Sequence, residues 1–439
     1  MNHESVKDML SFIHKSPTCF HAVDNIKSIL SENGFVQLHE EENWPIEENG
    51  KYFVIRNQSS VIAFHIGREL SDYSFQIVAS HSDSPCFKVK ENALLEVKNV
   101  YTQLNTEGYG GMLCSTWFDR PLSLAGRALV KEGQRIVSKL IHFDRDLLMI
   151  PNLAIHMNRK ANDGLSYNKQ IDMLPLLCSG VMSEADYLQL LADELQVSKE
   201  NICATDLFLY NRVEPCIWGV NEEFLAAPRL DDLECAYTSL QGFISGHHRS
   251  TVQVYACFDN EEVGSLTKQG ADSTFLSSVL QRINNGLGKN NEQYYRALAN
   301  SFMVSADNAH ALSPNHPEKC DARNFALMNE GIVIKSNAAQ HYTSDAVSIA
   351  LFKEICASAG VKTQTFLNRS DEVGGGTLGN LSQAHVSLNT IDIGLAQLAM
   401  HSAYETAGVY DVEYMIRAMK EFYSSCIKQI NSTEYEVMK

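Results

Sequence analysis

Two changes in the spacing of apolar residues divide this chain into three stretches. Residues 1–90 combine apolar residues at helical spacing with short strand-like runs, and this mixture returns after residue 226. Between residues 91 and 225 the apolar runs are short and closely spaced, with one helical segment at Glu184–Leu195. The pattern therefore predicts an α/β domain formed by residues 1–90 and 226–439, interrupted by a mainly β insertion at 91–225.

Size and charge narrow the class of protein. A chain of 439 residues exceeds the roughly 250–300 residues that one hydrophobic core usually serves. A formal net charge of −17 disfavours nucleic acid or an anionic membrane as a partner, because both would repel it. No apolar run approaches the roughly 18 residues of a membrane span, and the first residues lack a basic and apolar leader. We expect a soluble, cytoplasmic protein.

The 11 cysteines are scattered without CxxC spacing. An odd number without paired spacing fits a reducing cytosol better than a disulfide framework or a structural zinc knuckle. We expect free thiols, mostly buried.

In the last stretch, helices are predicted near 233–244, 346–359 and 412–430, and the run Val252–Phe258 predicts a strand. The glycine cluster Gly374–Gly379 lacks the Lys-Ser/Thr of a phosphate-binding loop. It predicts a loop whose backbone passes close to another group.

Two adjacent glutamates follow that predicted strand, in the segment Asp259-Asn260-Glu261-Glu262. Glutamate pairs are common on solvated surfaces, which is the ordinary interpretation of Glu261 and Glu262. At the end of a strand, however, one carboxylate can bind a metal while its neighbour serves as a general base for a water beside it.

Further acidic or imidazole side chains also follow apolar runs. Each alone has an ordinary explanation. Asp232 is a good N-cap for the helix near Leu233, which leaves Asp231 without a capping role. Asp83 could orient the His81 ring. These side chains lie in the segments Ser80-His81-Ser82-Asp83, Arg229-Leu230-Asp231-Asp232, Ser305-Ala306-Asp307-Asn308-Ala309-His310, Gln340-His341-Tyr342 and Met400-His401-Ser402.

The carboxyl ends of strands in α/β sheets are where ligands collect, so these side chains are expected to meet. Two histidines and three or four carboxylates, without cysteine, match two closely spaced divalent cations with one carboxylate bridging them.

The segments together resemble the aspartyl aminopeptidase family of co-catalytic zinc metallopeptidases. The resemblance spans nearly the whole chain, including the opening helix at 16–23 and Thr116-Trp117-Phe118-Asp119-Arg120 in the insertion. It implies an α/β fold: a mixed-sheet, three-layer zinc-peptidase catalytic domain with an inserted, mainly β dimerisation domain.

The resemblance implies two Zn²⁺ per subunit, although Mn²⁺ or Co²⁺ also suits such ligands. One cation is held by His81, Asp231 and Asp307, and the other by Asp231, Glu262 and His401. Glu261 matches the family's general base, and Asp83 is placed with it as a catalytic residue.

Four further positions match substrate contacts in the family. Lys335 is expected to bind the acidic side chain of the substrate's first residue, and His310 and Tyr342 line the same site. His156, in the insertion, is expected to reach the active site of a dimer mate, in dimers that assemble into a dodecamer. Some relatives have Cys-Gly-Thr-Thr-Ile-Gly where this chain has Gly374-Gly375-Gly376-Thr377-Leu378-Gly379, which affects the shape of the pocket.

The resemblance thus implies a zinc aminopeptidase that removes N-terminal residues, preferably Asp or Glu, from peptides. Two alternatives stay open: the same reaction with a preference for neutral residues such as Leu, and a non-catalytic self-assembling shell or cargo protein.

Overall fold

The chain forms a mixed α/β structure in the computed structural model, which describes residues 3–372 and 374–439. The helices are α1 (Glu4–His14), α2 (Cys19–Glu32), α3 (Glu184–Leu195), α4 (Leu230–Ser245), α5 (Phe275–Gly286), α6 (Asn291–Ala299), α7 (Ala346–Ser358), α8 (Leu378–Gln383) and α9 (Val409–Ser424). The strands are β1 (Val36–Leu38), β2 (Lys51–Arg56), β3 (Ser60–Ile66), β4 (Ser74–His81), β5 (Cys86–Val97), β6 (Tyr101–Tyr109), β7 (Leu122–Glu132), β8 (Arg135–His142), β9 (Leu176–Ser179), β10 (Ile202–Asn211), β11 (Cys216–Trp218), β12 (Phe224–Ala227), β13 (Thr251–Phe258), β14 (Phe302–Ala306), β15 (Ala309–His310), β16 (Ile332–Lys335), β17 (Thr363–Phe366), β18 (Asn389–Gly394), β19 (Ala396–Leu398), β20 (Glu405–Gly408), β21 (Cys426–Asn431) and β22 (Glu434–Met438).

A nine-stranded mixed sheet with the order β1-β2-β3-β13-β4-β14-β18-β16-β17 lies at the centre. Strand β13 is buried along its whole length. On one face of the sheet, Tyr255 and Cys257 pack in a core with α1, α2, α4, α7 and α9. On the other face, Val254 and Ala256 pack in a core with α5, α6 and α8. A strand that is apolar on both faces needs a layer on each side. The expected three-layer, mixed-sheet architecture is confirmed.

The segment from β5 to β10 forms a separate antiparallel sheet with the order β8-β7-β10-β5-β6-β9. Its own apolar core includes Phe87, Leu124 and Leu207, and α3 adds Tyr187 and Leu191. Helix α3 has the predicted bounds, and Ser183 caps it with a reciprocal hydrogen-bond pair to Asp186. Strands β5 to β10 thus form a second, strand-rich part of the chain between Cys86 and Asn211.

A third sheet joins strands that are far apart in the sequence, in the order β11-β12-β20-β19-β15. Strand β12, just before α4, pairs with β20, so that Ala227 faces Glu405 in the register. This sheet brings the segment around His401 next to the start of α4.

Two predicted helices have different bounds. The helix predicted at 412–430 ends at Ser424, and Cys426–Asn431 instead pairs with Glu434–Met438 in a hairpin. The side chain of Asn431 accepts the backbone N–H of Thr433 and so fixes the hairpin turn. Helix α4 begins at Leu230, three residues before the predicted start.

All 11 cysteines are free, as expected, but burial is less uniform than predicted: five are buried, four are intermediate and two, Cys203 and Cys216, are exposed. No helix of residues 3–372 and 374–439 is long and apolar enough to cross a membrane. The glycine cluster makes close approaches at Gly374, where an added Cβ would lie 2.5 Å from Asn368 Oδ1, and at Gly379, inside α8, where it would lie 2.8 Å from Ser305 Cβ.

Candidate functional site

Three neighbouring parallel strands deliver side chains to one edge of the central sheet. Strands β13 and β14 each pair in parallel with β4. His81 is the last residue of β4, Asp307 directly follows β14, and Glu261 begins a short 3₁₀ turn after β13. The carboxyl ends of parallel strands meet at one edge, so the order of the strands itself gathers these side chains.

The first group of ligand atoms surrounds His81. Its Nε2 lies 3.4 Å from Asp231 Oδ1 and 3.9 Å from Asp307 Oδ1. Asp232 also offers an oxygen atom to this group, in which every member is buried. The Nδ1 atom of His81 lies 3.1 Å from the carbonyl oxygen of Asp83, a contact that favours the tautomer with Nε2 free to bind a metal.

The second group surrounds His401. Its Nε2 lies 3.4 Å from Asp231 Oδ2 and 3.3 Å from Glu262 Oε1. Its Nδ1 lies 3.0 Å from the carbonyl oxygen of Gly111, which again leaves Nε2 available. Asp231 belongs to both groups and faces each histidine with a different oxygen atom.

The spacing of these atoms fits zinc. Ligand atoms about 2.0–2.1 Å from a tetrahedral Zn²⁺ lie about 3.3–3.4 Å from one another. Three of the four distances above fall in that range, and the fourth, to Asp307, is 3.9 Å. Asp231 Oδ1 and Glu262 Oε1 are buried without a hydrogen-bond partner among the described residues. A cation between the side chains would satisfy both oxygen atoms.

The buried carboxylates of the cluster also favour the binding of positive charge. Burial raises the pKa of Glu261 to about 8 and that of Asp307 to about 6. Burial alone would lower the pKa of His401, but Asp231 and Glu262 raise it to about 10. Protons thus compensate the carboxylates when no cation is bound, and cation binding would displace them.

Asp83 holds the turn that carries both glutamates. Its Oδ1 accepts the N–H of Glu261 at 3.2 Å, and its Oδ2 accepts the N–H of Glu262 at 3.2 Å and the hydroxyl of Tyr109 at 2.7 Å. Asp83 also contacts His81, as expected. Its backbone carbonyl oxygen is the closer partner, 3.1 Å from His81 Nδ1, whereas its carboxylate lies 3.5 Å from the same atom.

The prediction that Asp232 caps α4 is wrong. Arg229 occupies the N-cap position, no side chain caps the helix, and Asp231 and Asp232 have non-helical dihedral angles. The Oδ2 atom of Asp232 instead accepts the N–H of His81 at 3.0 Å. Asp232 therefore belongs to the cluster, a role that the sequence interpretation missed.

Two of the four proposed substrate residues, Lys335 and Tyr342, lie near Asp307. Lys335, only 2% exposed, donates from Nζ to the carbonyl oxygen of Asp307 at 2.8 Å, and its Nζ lies 5.3 Å from the centre of the Tyr342 ring. The ordinary interpretation of Lys335 as a solvated lysine does not hold. His310 is exposed, with its ring centre 6.1 Å from that of Phe366.

His156 is exposed in a segment between β8 and β9 without regular secondary structure. No hydrogen bond or ion pair joins it to the cluster within the part of the chain that the structure describes. Its predicted role requires a second subunit.

Sequence reasoning also missed two buried carboxylates that support the site. Glu405 accepts the N–H of His401 at 2.7 Å and the N–H of Asp231 at 3.1 Å, so one side chain fixes a ligand in each group. Asp392 accepts both the N–H and the hydroxyl of Thr343, next to Tyr342. Nothing local in the sequence singles out either residue, because Asp392 follows Asn389-Thr390-Ile391 and Glu405 begins a short strand.

A family profile described as aminopeptidase I zinc metalloprotease (M18) matches residues 12–423. The chain belongs to the M18 family. A probable M18 family aminopeptidase 2 from Clostridium acetobutylicum is 47% identical over 429 residues, covering 96% of this chain and 99% of the relative. Another from Ectopseudomonas mendocina is 38% identical and covers 97% of this chain and 99% of the relative.

Solved M18 structures share the fold. The chain matches Ape4, from a cryo-EM structure of the Ape4 and Nbr1 complex, with a TM-score of 0.92 and 37% identity, over 96% of this chain and 86% of that one. A dodecamer of mApe1 from S. cerevesiae matches with a TM-score of 0.85 and 27% identity, over 96% of each chain. As an M18 member the chain is a zinc aminopeptidase, and the ligand set described above suits that metal.

Proposed function

We propose that this M18 enzyme uses two zinc ions to remove N-terminal residues, preferably Asp or Glu, from peptides. The observation that carries the two-ion proposal is the position of Asp231, whose two oxygen atoms face two different histidines at 3.4 Å each. His81, Asp231 and Asp307 would hold one ion, and Asp231, Glu262 and His401 the other. Bound zinc would polarise the scissile carbonyl and make the attacking water more acidic.

Glu261 is the proposed general base. It directly precedes the proposed ligand Glu262, and the Asp83 carboxylate accepts the backbone N–H groups of both glutamates at 3.2 Å each. Its carboxylate would accept a proton from the attacking water and pass it to the leaving amine.

Lys335 supports the proposed preference for acidic residues. Its ammonium group has three N–H donors, of which one binds the Asp307 carbonyl oxygen at 2.8 Å and another points to that of Asn308 at 3.4 Å. The Asp307 carboxylate lies 3.8 Å from Nζ, and a substrate carboxylate would share the ammonium group with it, flanked by His310 and Tyr342. Lys335 already binds Asp307, and this is the reason why a preference for neutral N-terminal residues stands as the second candidate.

We further propose that residues 91–225 form a dimerisation domain that carries His156 into the active site of a second subunit, and that the dimers build a dodecamer. The exposed apolar side chains of Leu153, Ile155 and Met157 around His156 support such a contact. The free cysteines support a cytoplasmic location.

The test is the release of free amino acid from matched peptides that begin with Asp, Leu or N-acetylated Asp. Faster release of Asp than of Leu, with the acetylated peptide inert, supports the proposal. Faster release of Leu would replace the acidic preference by the neutral one, and no release from zinc-loaded protein would favour the non-catalytic alternative.

A further inference from the structure

A stretch of the β-rich segment, which runs from β5 to β10, lies against one half of the metal cluster. This stretch, the 109–116 segment, leads from the last residue of β6 into the 3₁₀ turn Cys114–Trp117. The carbonyl oxygen of Gly111 lies 3.0 Å from Nδ1 of His401 and accepts its N–H when Nε2 binds a metal. The backbone N–H of Leu113 donates to the carbonyl oxygen of the same His401 at 2.9 Å. The 109–116 segment therefore holds both the ring and the backbone of His401.

The contact continues two residues beyond His401, at Ala403. The backbone N–H of Ala403 donates to Oγ1 of Thr116 at 2.9 Å, and its carbonyl oxygen accepts Nδ2 of Asn211, in β10, at 2.7 Å. Ala403 also belongs to the apolar core of the β-rich segment, together with Trp117. The chain after His401 is thus fixed to the β-rich segment by hydrogen bonds and by apolar packing, although the two are distant in the sequence.

The same segment also contacts Glu262, the glutamate in this half of the cluster. Gly110 has a φ of +72°, and a Cβ added there would lie 3.1 Å from Cβ of Glu262. The hydroxyl of Tyr109 donates at 2.7 Å to Oδ2 of Asp83, the oxygen atom that also accepts the N–H of Glu262. Glycine at position 110 therefore lets the segment approach Glu262 closely, and Tyr109 holds the carboxylate that fixes the Glu262 backbone.

The group around His81 is held by other parts of the chain. Nδ1 of His81 lies 3.1 Å from the carbonyl oxygen of Asp83, and its backbone N–H donates to Asp232 at 3.0 Å. Lys335 donates to the carbonyl oxygen of Asp307 at 2.8 Å. All of these residues lie outside the β-rich segment, on the elements of the central sheet and its helices. The two halves of the cluster thus depend on different parts of the chain.

On the basis of the two-zinc function proposed above, we propose that the 109–116 segment positions His401 and Glu262, so that the β-rich segment controls the affinity of the second zinc site. Groups that hydrogen-bond a metal ligand from behind fix its orientation, and their loss typically weakens metal binding about 10–100-fold. Such coupling is reciprocal, so zinc at the second site would in turn hold the β-rich segment against the central sheet. A displacement of the β-rich segment is expected to weaken this site while the His81 site stays intact.

Two pairs of variants separate positioning from general destabilisation. Gly110→Ala adds one methyl group against Glu262. Gly133→Ala is its matched control, because Gly133 also has a positive φ, +65°, in the turn between β7 and β8, but no described atom lies within 4 Å of an added Cβ. Both changes strain the backbone, so a difference between them reports on Glu262. Thr116→Val removes the acceptor for the Ala403 N–H, whereas Thr116→Ser keeps it.

The test is anomalous diffraction at the zinc edge, because it measures each site separately and without reference to activity. Crystals of each protein are equilibrated with graded free zinc, and the peaks at the His81 and His401 groups are compared. In Gly110→Ala and Thr116→Val the His401 peak should need about 10–100-fold more zinc than in the wild type, with the His81 peak unchanged. Gly133→Ala and Thr116→Ser should match the wild type. Equal losses at both groups, or wild-type occupancy at His401 in both variants, would overturn the proposal.

The wild-type crystal tests the two-zinc function on its own. A single peak at the His81 group would overturn both the two-zinc function and the positioning role of the 109–116 segment. A single peak at the His401 group would overturn only the two-zinc function, and the variants would still decide whether the segment positions that ion. If Gly110→Ala does not fold, the comparison of Thr116→Val with Thr116→Ser still decides the question.

Discussion

Lys335 donates a hydrogen bond from Nζ to the backbone carbonyl oxygen of Asp307 over 2.8 Å. The residue proposed to recognise the substrate therefore also supports a residue proposed to bind zinc. A loss of activity after mutation of Lys335 is ambiguous by itself, and only a comparison of substrates separates the two roles.

For Lys335→Met we predict a loss of kcat/KM of about 10²–10³-fold on peptides that begin with Asp, because a buried charge pair with the substrate is lost. Peptides that begin with Leu should lose much less. The ratio of the two kcat/KM values is the measurement. An equal loss on both substrates would show that Lys335 acts through Asp307, and unchanged activity on Asp peptides would exclude it as the selector.

For Glu261→Gln we predict that zinc binding persists while kcat falls by about 10²–10⁴-fold, because the amide cannot accept a proton. The measurement combines the zinc content of the purified protein with kcat on an Asp peptide. Near-normal kcat with full zinc content would remove Glu261 from the mechanism.

For Glu405→Ala we predict a zinc affinity about 10–100-fold weaker, because the backbones of His401 and Asp231 lose their common anchor. Zinc per chain is measured after dialysis against graded free zinc. His401→Ala serves as the positive control, which should weaken one site directly. The exposed Glu354→Ala serves as the neutral control. Unchanged zinc affinity in Glu405→Ala would assign Glu405 no role in positioning.

The pH dependence of stability can be tested away from the metal site, at His65. Burial, followed by the neighbouring imidazole of His247, lowers the pKa of His65 to about 3. Between pH 6.5 and 3 the unfolded chain therefore binds a proton there that the folded chain does not, so the free energy of unfolding falls as the pH falls.

His65→Phe keeps a ring against His247, whose ring centre lies 4.1 Å away, and removes the titration. The variant should lose less stability than the wild type on acidification, by up to about 1 kcal/mol per pH unit. Urea unfolding of both proteins from pH 7 to pH 5 gives the difference. Parallel curves would contradict this explanation.

The sequence predicted the strand-end residues well for a physical reason. An apolar run that is buried on both faces predicts a central strand. Residues that follow parallel central strands meet at one edge of the sheet, and this rule predicted that His81, Asp307 and Glu261 would lie close together. Local spacing could not predict that Asp232 would hold the His81 backbone, because that contact depends on how α4 begins. Glu405 was missed for the same reason, since its partners lie in two distant segments.

The C-terminal segment of the fold was predicted less completely. The apolar spacing of residues 412–430 fits one helix, but the hairpin formed by Cys426–Asn431 and Glu434–Met438 replaces its last turns. Alternating residues in a short hairpin and one face of a helix give similar patterns over a few residues, and tertiary packing decides between them.

The most direct measurement of the central claim is the initial rate of Asp release by chelated protein as zinc is returned in counted equivalents. The account predicts almost no rate without zinc, and a rate that reaches its plateau at two zinc ions per chain. A full rate in zinc-free protein, or a plateau at one ion per chain, would contradict it.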